Sequence, residues 1–353
     1  MIMLDILAIN WNVNPKIISF STDPMTAKIV AAVIVVAMMS WYVISVMKEE
    51  KISLFSALTK TWTLIGFLAL FFIAMRLNLH EFAIRWYSLL FVSGFILGWY
   101  IFRWFFRREG ITEDLLDPLL YWLLGGTLVG ARLGHCLFYQ PDYYLTSEHF
   151  WEILDVWQGG LASHGGTIAL FIIMWYFAKN YGRKHDFDFL WILDHLCIAV
   201  CFAAMFIRLG NLMNSEIYGN VTTLPWGFVF EGRGETLAKH PTQLYEALSY
   251  ALLGVVLLLC YKFRVKWLYR GSYIGIFFIV LFGMRFIIEF IKEDQVGFEA
   301  GMTLNMGQWL SVPFILIGIG MLVYSYMKKI PMEAVHPQKR KAEPTHYAKP
   351  ISR

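Results

Sequence analysis

Five separate stretches of the sequence carry polar side chains of the kinds that bind anions or move protons. The residues are Arg132 within GARLG, His164 within SHGG, Arg208 and Asn211 within RLGN, the block HPTQLYE at 240–246, and Arg285 with Glu289 within RFIIE. The planar arginine fork can hold two phosphate oxygens at once, and histidine or glutamate can accept a proton. If the fold brings these stretches together, they can bind an anionic substrate and perform acid–base chemistry on it.

The segments that must position these residues are long and apolar. Nine candidate membrane spans lie near 27–47, 62–79, 87–106, 117–138, 166–178, 189–207, 246–261, 272–291 and 308–327. About 20 apolar residues cross the hydrocarbon layer, and a spanning segment must satisfy its own backbone hydrogen bonds, as a helix does. The sequence therefore predicts an all-α, polytopic transmembrane helical bundle.

The charge of the connecting loops predicts the orientation of this bundle. Basic residues concentrate in alternate loops, for example at 103–108, 179–184 and 262–270, and in the tail, whereas the loop 139–165 contains neither Lys nor Arg. Because basic loops stay in the cytoplasm, the N-terminus is expected outside and the C-terminus inside. The five polar stretches then all lie toward the outer face of the membrane.

Each polar stretch also has a purely structural interpretation. Arg132 can extend to the lipid headgroups, Arg285 and Glu289 can pair on one helix face, and His164 can simply start a helix. RLGN can be a helix end with Gly210 at its cap, and HPTQLYE can be a helix beginning. We favour one shared site, because ionisable residues near membrane depth are costly and usually face an interior cavity.

Asp194 differs from these residues in its predicted depth. It lies inside the sixth predicted span, about 21 Å along a helix from Arg208. A carboxylate inside the membrane is functional by default, but this one can equally cap or pair with a neighbouring helix. Asp194 is therefore expected to support the site rather than to react.

Composition and spacing exclude two other classes of function. The net charge is only +4, and no long basic run stands beside aromatic residues, so no nucleic-acid partner is expected. His135, His164 and His240 follow no spacing typical of metal ligands. No metal site is therefore expected.

In chain order, these motifs resemble those of the bacterial prolipoprotein diacylglyceryl transferases. The resemblance rests on RWY at 85–87, GARLG at 130–134, SHGG at 163–166, RLGN at 208–211 with Asn214, Glu216 and Gly219, HPTQLYE at 240–246, and RFIIEF at 285–290. The block that begins with RLGN and the block HPTQLYE are specific patterns, whereas Arg-x-x-x-Glu alone is weak.

The resemblance implies a domain organisation for the chain. A seven-span core is expected at 82–330, including a small outward-facing loop domain at 208–245. Residues 1–81 are expected to add two N-terminal spans, and residues 331–353 to form a disordered cytoplasmic tail.

The resemblance also implies a reaction. Enzymes of this family transfer the diacylglyceryl group of phosphatidylglycerol to the thiol of a prolipoprotein's lipobox cysteine, which forms a thioether and releases glycerol phosphate. The expected partners are phosphatidylglycerol, the prolipoprotein and the lipid bilayer, and the implied reaction requires neither a metal nor an organic cofactor. The expected location is the bacterial inner membrane, with the active site toward the periplasm.

Carried over position by position, the family's motifs imply roles for residues of this chain. His164 is the expected base, Arg208 and Arg285 are expected on the phosphate and the leaving group, and Glu289 is expected to position Arg285. The other expected lipid-binding residues are Tyr87, Arg132, Asn211, Glu216 and Gly219. The expected supporting residues besides Asp194 are His240, Gln243, Tyr245 and Glu246.

One departure from the family pattern and two alternatives stay open. Leu281 stands one helical turn before Arg285, where the family often has a tyrosine, and this gives His164 more weight as the base. Another membrane transferase or phosphatase acting on lipid headgroups would suit the same residues. A transporter would instead place its polar residues along a path near the membrane midplane.

Overall fold

Most of the described chain is helical, as the apolar segments predict. The computed structural model describes residues 8–21, 23–50, 71, 81–156, 159–185, 187–293 and 303–332. The helices are α1 (Pro24–Glu50), α2 (Trp86–Glu109), α3 (Leu116–Phe138), α4 (Pro141–Tyr144), α5 (Ser163–Phe177), α6 (Arg183–His185), α7 (Phe189–Met213), α8 (Thr242–Lys262), α9 (Ser272–Glu289) and α10 (Met306–Lys328). The strands are β1 (Ile9–Trp11), β2 (Lys16–Ser21), β3 (Glu81–Arg85) and β4 (Phe228–Phe230).

Six helical segments of the described chain are long and apolar enough to cross a membrane. They are Met25–Ile44 within α1, and helices α2, α7, α8, α9 and α10. The prediction of an all-α polytopic membrane protein is confirmed, whereas the number of nine spans stays a prediction. Helix α3 covers the expected fourth span, and α5, at the expected fifth span, has only 15 residues. The expected second span, near 62–79, lies almost entirely outside the described residues.

The chain divides into two compact units, which are described separately. The larger unit comprises Met1–Pro15, Trp86–Ala131 and Ser163–Arg353, and the smaller unit comprises Lys16–Arg85 and Arg132–Ala162. The domain boundaries expected at 81 and 330 stay predictions. Most of the expected tail at 331–353 lies outside the described residues.

Helix α7 lies at the centre of the larger unit and packs against α2, α8 and α9. Small residues allow the closest of these contacts, since Gly94 of α2 faces Ala203 of α7, and Gly98 faces Ala199. Close backbone approach supplies the dispersion contacts on which helix association in lipid depends. The pairings also show that α2 and α7 run antiparallel, so the start of α2 lies beside the end of α7.

Neighbouring helices are also antiparallel through α8, α9 and α10. Gly275 near the start of α9 lies against Gly318 of α10, and Gly307 at the start of α10 lies against Glu289 at the end of α9. The starts of α2, α8 and α10 and the ends of α7 and α9 therefore share one end of the bundle. We call this the site end, and we call the end where α7 and α9 begin the opposite end.

The described chain also contains two small sheets. Strand β1 pairs in parallel with β4 in the larger unit, and β2 pairs antiparallel with β3 in the smaller unit. The sequence analysis predicts no strands, because segments of three to six residues carry too little alternation to be distinguished from loops. Strand β4 lies within the expected loop domain at 208–245, and β1 joins it from the N-terminus.

Candidate functional site

The end of α7 delivers Arg208 and Asn211 to the site end. The helix is capped by Asn214, whose backbone N–H donates to the Gly210 carbonyl. Gly210 is therefore not the cap itself, as RLGN suggests, but lies inside the last turn with Tyr87 of α2 against it. A Cβ atom on Gly210 would lie 2.7 Å from the Tyr87 Cδ2 atom, so only glycine lets Tyr87 approach α7 this closely.

The chain turns sharply after α7 and brings Glu216 back toward the helix. Ser215 and Ile217 have φ angles of 52° and 63°, a left-handed conformation that residues other than glycine rarely adopt. Glu216, between them, accepts a hydrogen bond from the Asn211 Nδ2 atom at 2.8 Å. Asn211 in turn accepts one from the Arg208 Nη1 atom at 3.2 Å. A hydrogen-bonded line thus connects Arg208, Asn211 and Glu216.

Four charged side chains form a buried chain at the centre of the site end. The Glu246 Oε2 atom lies 2.8 Å from the Arg208 Nε atom, and its Oε1 atom lies 3.1 Å from the Lys292 Nζ atom. Lys292 also lies 3.0 Å from the Glu289 Oε2 atom. The side chains of Glu246, Lys292 and Glu289 are only 0%, 2% and 8% exposed. Loss of one member would therefore leave an opposite charge buried without its partner.

Arg285 is a cation at this end that has no carboxylate partner among the described residues. Its Nε atom is buried without a hydrogen-bond partner in the same part of the chain, although a buried polar group normally has one. Glu289 pairs with Lys292, so the expectation that Glu289 pairs with and positions Arg285 is wrong. Tyr250 of α8 lies within electrostatic reach of both Arg208 and Arg285, which places the two guanidinium groups around the same region.

The block HPTQLYE begins helix α8 and also fixes the turn that follows α7. The helix starts at Thr242, with Pro241 at its N-cap. Thr242 donates to the Ile217 carbonyl at 2.9 Å, and the fully buried Gln243 donates to the Glu216 carbonyl at 2.6 Å. The interpretation of this block as a helix beginning is therefore confirmed, and the start of the helix also holds the backbone of Glu216 in place, while the functional roles of its residues stay predictions.

His240 and Tyr245 lie at the edge of this group. The Tyr245 hydroxyl accepts a hydrogen bond from the Trp226 Nε1 atom at 2.9 Å and lies 3.3 Å from the His240 Nδ1 atom. Burial lowers the pKa of His240, which favours the neutral ring at neutral pH. The His240 carbonyl accepts from the Gly219 N–H at 2.8 Å, and a Cβ atom on Gly219 would lie 2.4 Å from the Ile291 carbonyl oxygen. Gly219 thus permits close packing of three chain segments.

Tyr87 completes the group from the first turn of α2. Its half-buried side chain lies within electrostatic reach of Glu216 and Arg208. The predicted site residues that meet at the site end are Tyr87, Arg208, Asn211, Glu216, Gly219, His240, Gln243, Tyr245, Glu246, Arg285 and Glu289.

Arg132 is held by the backbone of the smaller unit. Its guanidinium donates to the carbonyls of Glu152, Ile153 and Gly159 at 2.6, 2.9 and 2.7 Å, and it lies over the Tyr144 ring. The residue is only 3% exposed, so the interpretation that it extends to the lipid headgroups is wrong. These bonds use the donors that a lipid phosphate would need, and they tie the loop that follows α3 to the end of that helix.

His164 lies in the first turn of α5 with its side chain exposed. Helix α5 packs against α3, whose Gly130 lies against Gly165 and Ala169. No hydrogen bond from the His164 ring occurs within the described ranges. The structure therefore bears out the helix-start interpretation, while the role of His164 as a base stays a prediction.

Asp194 lies at the opposite end and is fully buried. Its Oδ1 atom accepts from the Ile274 N–H at 2.9 Å, and its Oδ2 atom accepts from the Gly271 N–H at 2.5 Å. The first N–H groups of a helix lack partners within that helix, and Asp194 supplies partners for those of α9. Of its two interpretations, the structure favours the cap of a neighbouring helix.

Sequence reasoning missed Lys292, Tyr250 and Gly307. Lys292 stands three residues after Glu289, and this spacing could have indicated a rival partner for that carboxylate. A Cβ atom on Gly307 would lie 2.6 Å from the Glu289 Cδ atom, so glycine is needed where α10 passes this side chain. No local pattern connects Gly307 or Tyr250 to the site, because only packing brings them there.

This arrangement is suited to an anionic ligand. Arg208 and Lys292 pair with Glu246 and Glu289, and the Glu216 carboxylate binds the Asn211 and Asn214 amides. The Arg285 guanidinium, which has no carboxylate partner among the described residues, can therefore attract an anion from outside the chain. Over the described ranges, no group of three or more His, Cys, Asp or Glu side chains could hold a metal ion.

Comparisons with known proteins identify relatives across this region. The sequence model of the family described as prolipoprotein diacylglyceryl transferase matches residues 72–324. A protein of Tolumonas auensis named phosphatidylglycerol–prolipoprotein diacylglyceryl transferase is 45% identical over 253 residues, which cover 72% of this chain and 95% of that protein. A protein of the same name from Bacteroides fragilis is 45% identical over 264 residues, covering 71% and 93%. One from Chloroherpeton thalassium is 39% identical over 259 residues, covering 72% and 93%.

Proposed function

Because the chain belongs to the prolipoprotein diacylglyceryl transferase family, we propose that it transfers the diacylglyceryl group of phosphatidylglycerol to the lipobox cysteine of prolipoproteins. The names of its relatives contain both phosphatidylglycerol and prolipoprotein. The observation that carries the proposal is Arg285, whose buried Nε atom has no partner in the described part of the chain. An arginine fork without a carboxylate is well suited to bind a lipid phosphate.

Arg208 and Arg285 have different parts in binding this phosphate. Glu246 and Asn211 hold Arg208 from two sides, so its fork has a fixed direction. Arg285 has no such partner and supplies the strongest attraction for the incoming anion. Both act in a region shielded from water, where an electrostatic contact is stronger than it is in bulk solvent.

The reaction exchanges a carbon–oxygen bond for a carbon–sulfur bond. The thiolate of the lipobox cysteine attacks the glycerol carbon that carries the phosphodiester, and glycerol phosphate leaves with the electron pair of the broken bond. Arginines directed at the leaving phosphate stabilise the charge that develops on it. The free thiol has a pKa of about 8.5, so a base must accept its proton, and we assign this step to His164.

The assignment of His164 can be tested by removing its ring. The variant His164→Ala is expected to lower kcat by about 10²- to 10⁴-fold, the usual contribution of a general base, while phosphatidylglycerol still binds. His149→Ala is a matched control, because the His149 ring contacts Glu152 and Tyr143 in the smaller unit. A wild-type kcat in His164→Ala would remove this residue from the proton transfer.

We place the protein in the bacterial inner membrane with its site end toward the periplasm. Arg107 and Arg108 lie in the last turn of α2, away from the site end, as expected for a cytoplasmic side. The pairing of β1 with β4 supports an N-terminal segment on the same side as the loop 208–245. In intact cells, Leu145→Cys should react with an impermeant thiol reagent, and Arg340→Cys only after permeabilisation. The reverse labelling would overturn this orientation.

The proposed activity can be tested with the purified protein, phosphatidylglycerol vesicles and a lipobox peptide. A thioether-linked lipopeptide and glycerol phosphate should form in equal amounts, and a peptide with Ser in place of its Cys should yield neither. Release of phosphate or headgroup without the thioether would favour another headgroup enzyme. Absence of any product from protein that keeps its helical circular dichroism would refute the proposal.

A further inference from the structure

The N-terminal strand β1 belongs to the larger unit, which contains the site, although it precedes the range 72–324 that the family model matches. Its three residues pair with β4 in the register Ile9 to Phe228, Asn10 to Val229 and Trp11 to Phe230. The Ile9 N–H also donates to the Gly227 carbonyl at 2.9 Å. A segment from outside the matched range thus extends the small sheet that lies beside the end of α7.

Trp11 makes the contact that connects this strand to the site. Its indole Nε1 atom donates to the Leu212 carbonyl at 3.1 Å. Leu212 is the residue after Asn211, and its carbonyl also accepts from the Ser215 N–H at 3.0 Å, so the indole adds a second donor at the end of the helix. The Trp11 ring also stacks on Phe228 of β4 at a centroid distance of 5.2 Å. One side chain therefore fixes the last turn of α7 against the sheet.

The sheet is itself anchored to the end of α9. Phe228 exchanges two backbone hydrogen bonds with Lys239, each 2.9 Å long. The Lys239 ammonium lies 2.5 Å from the Glu293 carboxylate, and Glu293 directly follows Lys292 of the buried charge chain. The sheet that Trp11 contacts is thus connected both to the end of α7 and to the end of α9.

We propose that Trp11 is a positioning residue, which holds the last turn of α7 so that Arg208 and Asn211 keep the geometry that binds the lipid headgroup. This inference rests on the proposed function, since the headgroup is that of phosphatidylglycerol. It assigns a part in substrate binding to a segment that precedes the range matched by the family model. Strand β1 is then a supporting element of the site.

The placement of β1 can be tested without any activity measurement. Neighbouring strands lie about 4.8 Å apart, which is within the Cα separation that a disulfide can bridge. The full-length variant carrying Asn10→Cys and Val229→Cys should form this disulfide under mild oxidation, as shown by mass spectrometry of its peptides. Each single variant serves as a control. Failure of the double variant to crosslink would overturn the inference.

The positioning role can be tested by steady-state kinetics in the full chain. Trp11→Phe keeps the stacking ring but loses the indole donor, and it should raise KM for phosphatidylglycerol about fivefold, as expected for one net hydrogen bond. Trp11→Ala should raise it further, while KM for the lipobox peptide stays unchanged in both variants. Asn10→Ala is the matched control, because Asn10 is the exposed middle residue of the same strand.

The division between KM and kcat separates positioning from mere stability. A purely structural role would reduce the fraction of folded enzyme, and so the apparent kcat, without changing KM. An unchanged KM in Trp11→Phe, with normal transfer by the wild type, would overturn this inference alone. Absence of transfer by the wild type would refute the proposed function and the positioning role together, even if the disulfide forms.

Discussion

The two ends of the helix bundle both bury charged side chains, but these side chains have different kinds of hydrogen-bond partner. At the opposite end, Asp194 accepts from two backbone N–H groups of α9. At the site end, Arg208, Glu246 and Lys292 bind one another, and Arg285 keeps an unused donor within the described part of the chain. Buried charge alone therefore does not identify a site. Buried polar atoms without a hydrogen-bond partner also occur at the opposite end, at Trp191 and His195, so the more informative feature is that Arg285, unlike Arg270 with its partner Asp188, has no carboxylate partner among the described residues.

The opposite end is a structural cluster in which polar groups terminate helices. Asp188 caps α7 by accepting from the Trp191 N–H at 2.7 Å, and it also pairs with Arg270 at 2.6 Å. His195 donates its Nδ1–H to the Trp191 carbonyl of its own helix at 2.7 Å and stacks on the Trp191 ring. These contacts join the start of α7 to the start of α9, and they offer no open cation to a ligand.

The site end joins the same helices through side chains that come from distant parts of the sequence. Arg208 belongs to α7, Glu246 to α8, and Lys292 follows α9. Paired side-chain charges of this kind are costly to bury, and the backbone caps of the opposite end would hold the helices equally well. We infer that the charges are retained here because they orient Arg208 and leave Arg285 free for the lipid phosphate.

Removal of Arg285 should reveal the largest functional difference between the two ends of the bundle. Arg285→Ala is expected to lower the transfer rate by about 10²- to 10³-fold, the loss typical of a group that stabilises transition-state charge. Thermal unfolding in detergent should be unchanged, because no carboxylate loses a partner. Arg103→Ala, which removes a guanidinium paired with Glu113, is the control and should transfer normally. Wild-type transfer by Arg285→Ala would contradict the proposed site.

Removal of Lys292 should affect both stability and transfer. Lys292→Met leaves Glu246 and Glu289 buried with one cation fewer between them, and the expected loss of stability is about 3 kcal/mol. Transfer should fall as well, because Glu246 then no longer holds Arg208 in its fixed position. Lys292→Arg should retain most of the stability and most of the transfer activity. Lys328→Met, which changes an exposed residue, should alter neither quantity. Normal melting of Lys292→Met would show that the charge chain is not coupled to the fold.

A change at Asp194 should produce the opposite pattern from a change at Arg285. The amide oxygen of Asp194→Asn can replace only one of the two carboxylate oxygens that accept from α9. The expected loss of stability is about 1–3 kcal/mol, read from thermal unfolding. KM and kcat per folded molecule should stay at their wild-type values. A raised KM for phosphatidylglycerol at intact stability would place Asp194 in the lipid site.

The smallest expected effect concerns the contact between α2 and α7. Gly210→Ala puts a methyl group against Tyr87 and should destabilise this contact by about 1 kcal/mol, with a raised KM for phosphatidylglycerol. Gly125→Ala is the matched control, since nothing lies within 4 Å of its added Cβ atom. Equal behaviour of the two variants would show that the approach of Tyr87 to α7 is unimportant for binding.

The helices could be predicted from the sequence because long apolar segments have few other stable forms in lipid. Strand β1 could not, since its three residues acquire a partner only when residues 228–230 fold beside them. The extension of α7 past Gly210 was also missed. A glycine at a helix end usually marks the cap, but here it makes room for Tyr87.

The site could be predicted as a group of residues, but its connections could not. Arg208 and Glu246 were recognised from separate motifs, yet nothing in either motif shows that they pair. Arg132 and Asp194 have the residue types of a site, but their bonding partners are backbone groups that only the fold brings near them. Lys292 was overlooked because its partner Glu246 is 46 residues away.

The affinity for phosphatidylglycerol tests the central claim most directly, because it reports on the phosphate contact without the chemical step. It can be measured by titration of the lipid into wild-type protein and Arg285→Ala in matched detergent, with Asp194→Asn as the comparison. The predicted result is at least about tenfold weaker binding by Arg285→Ala, the usual worth of a hydrogen bond to a charged group, and unchanged binding by Asp194→Asn. Equal affinity of wild type and Arg285→Ala would contradict the account.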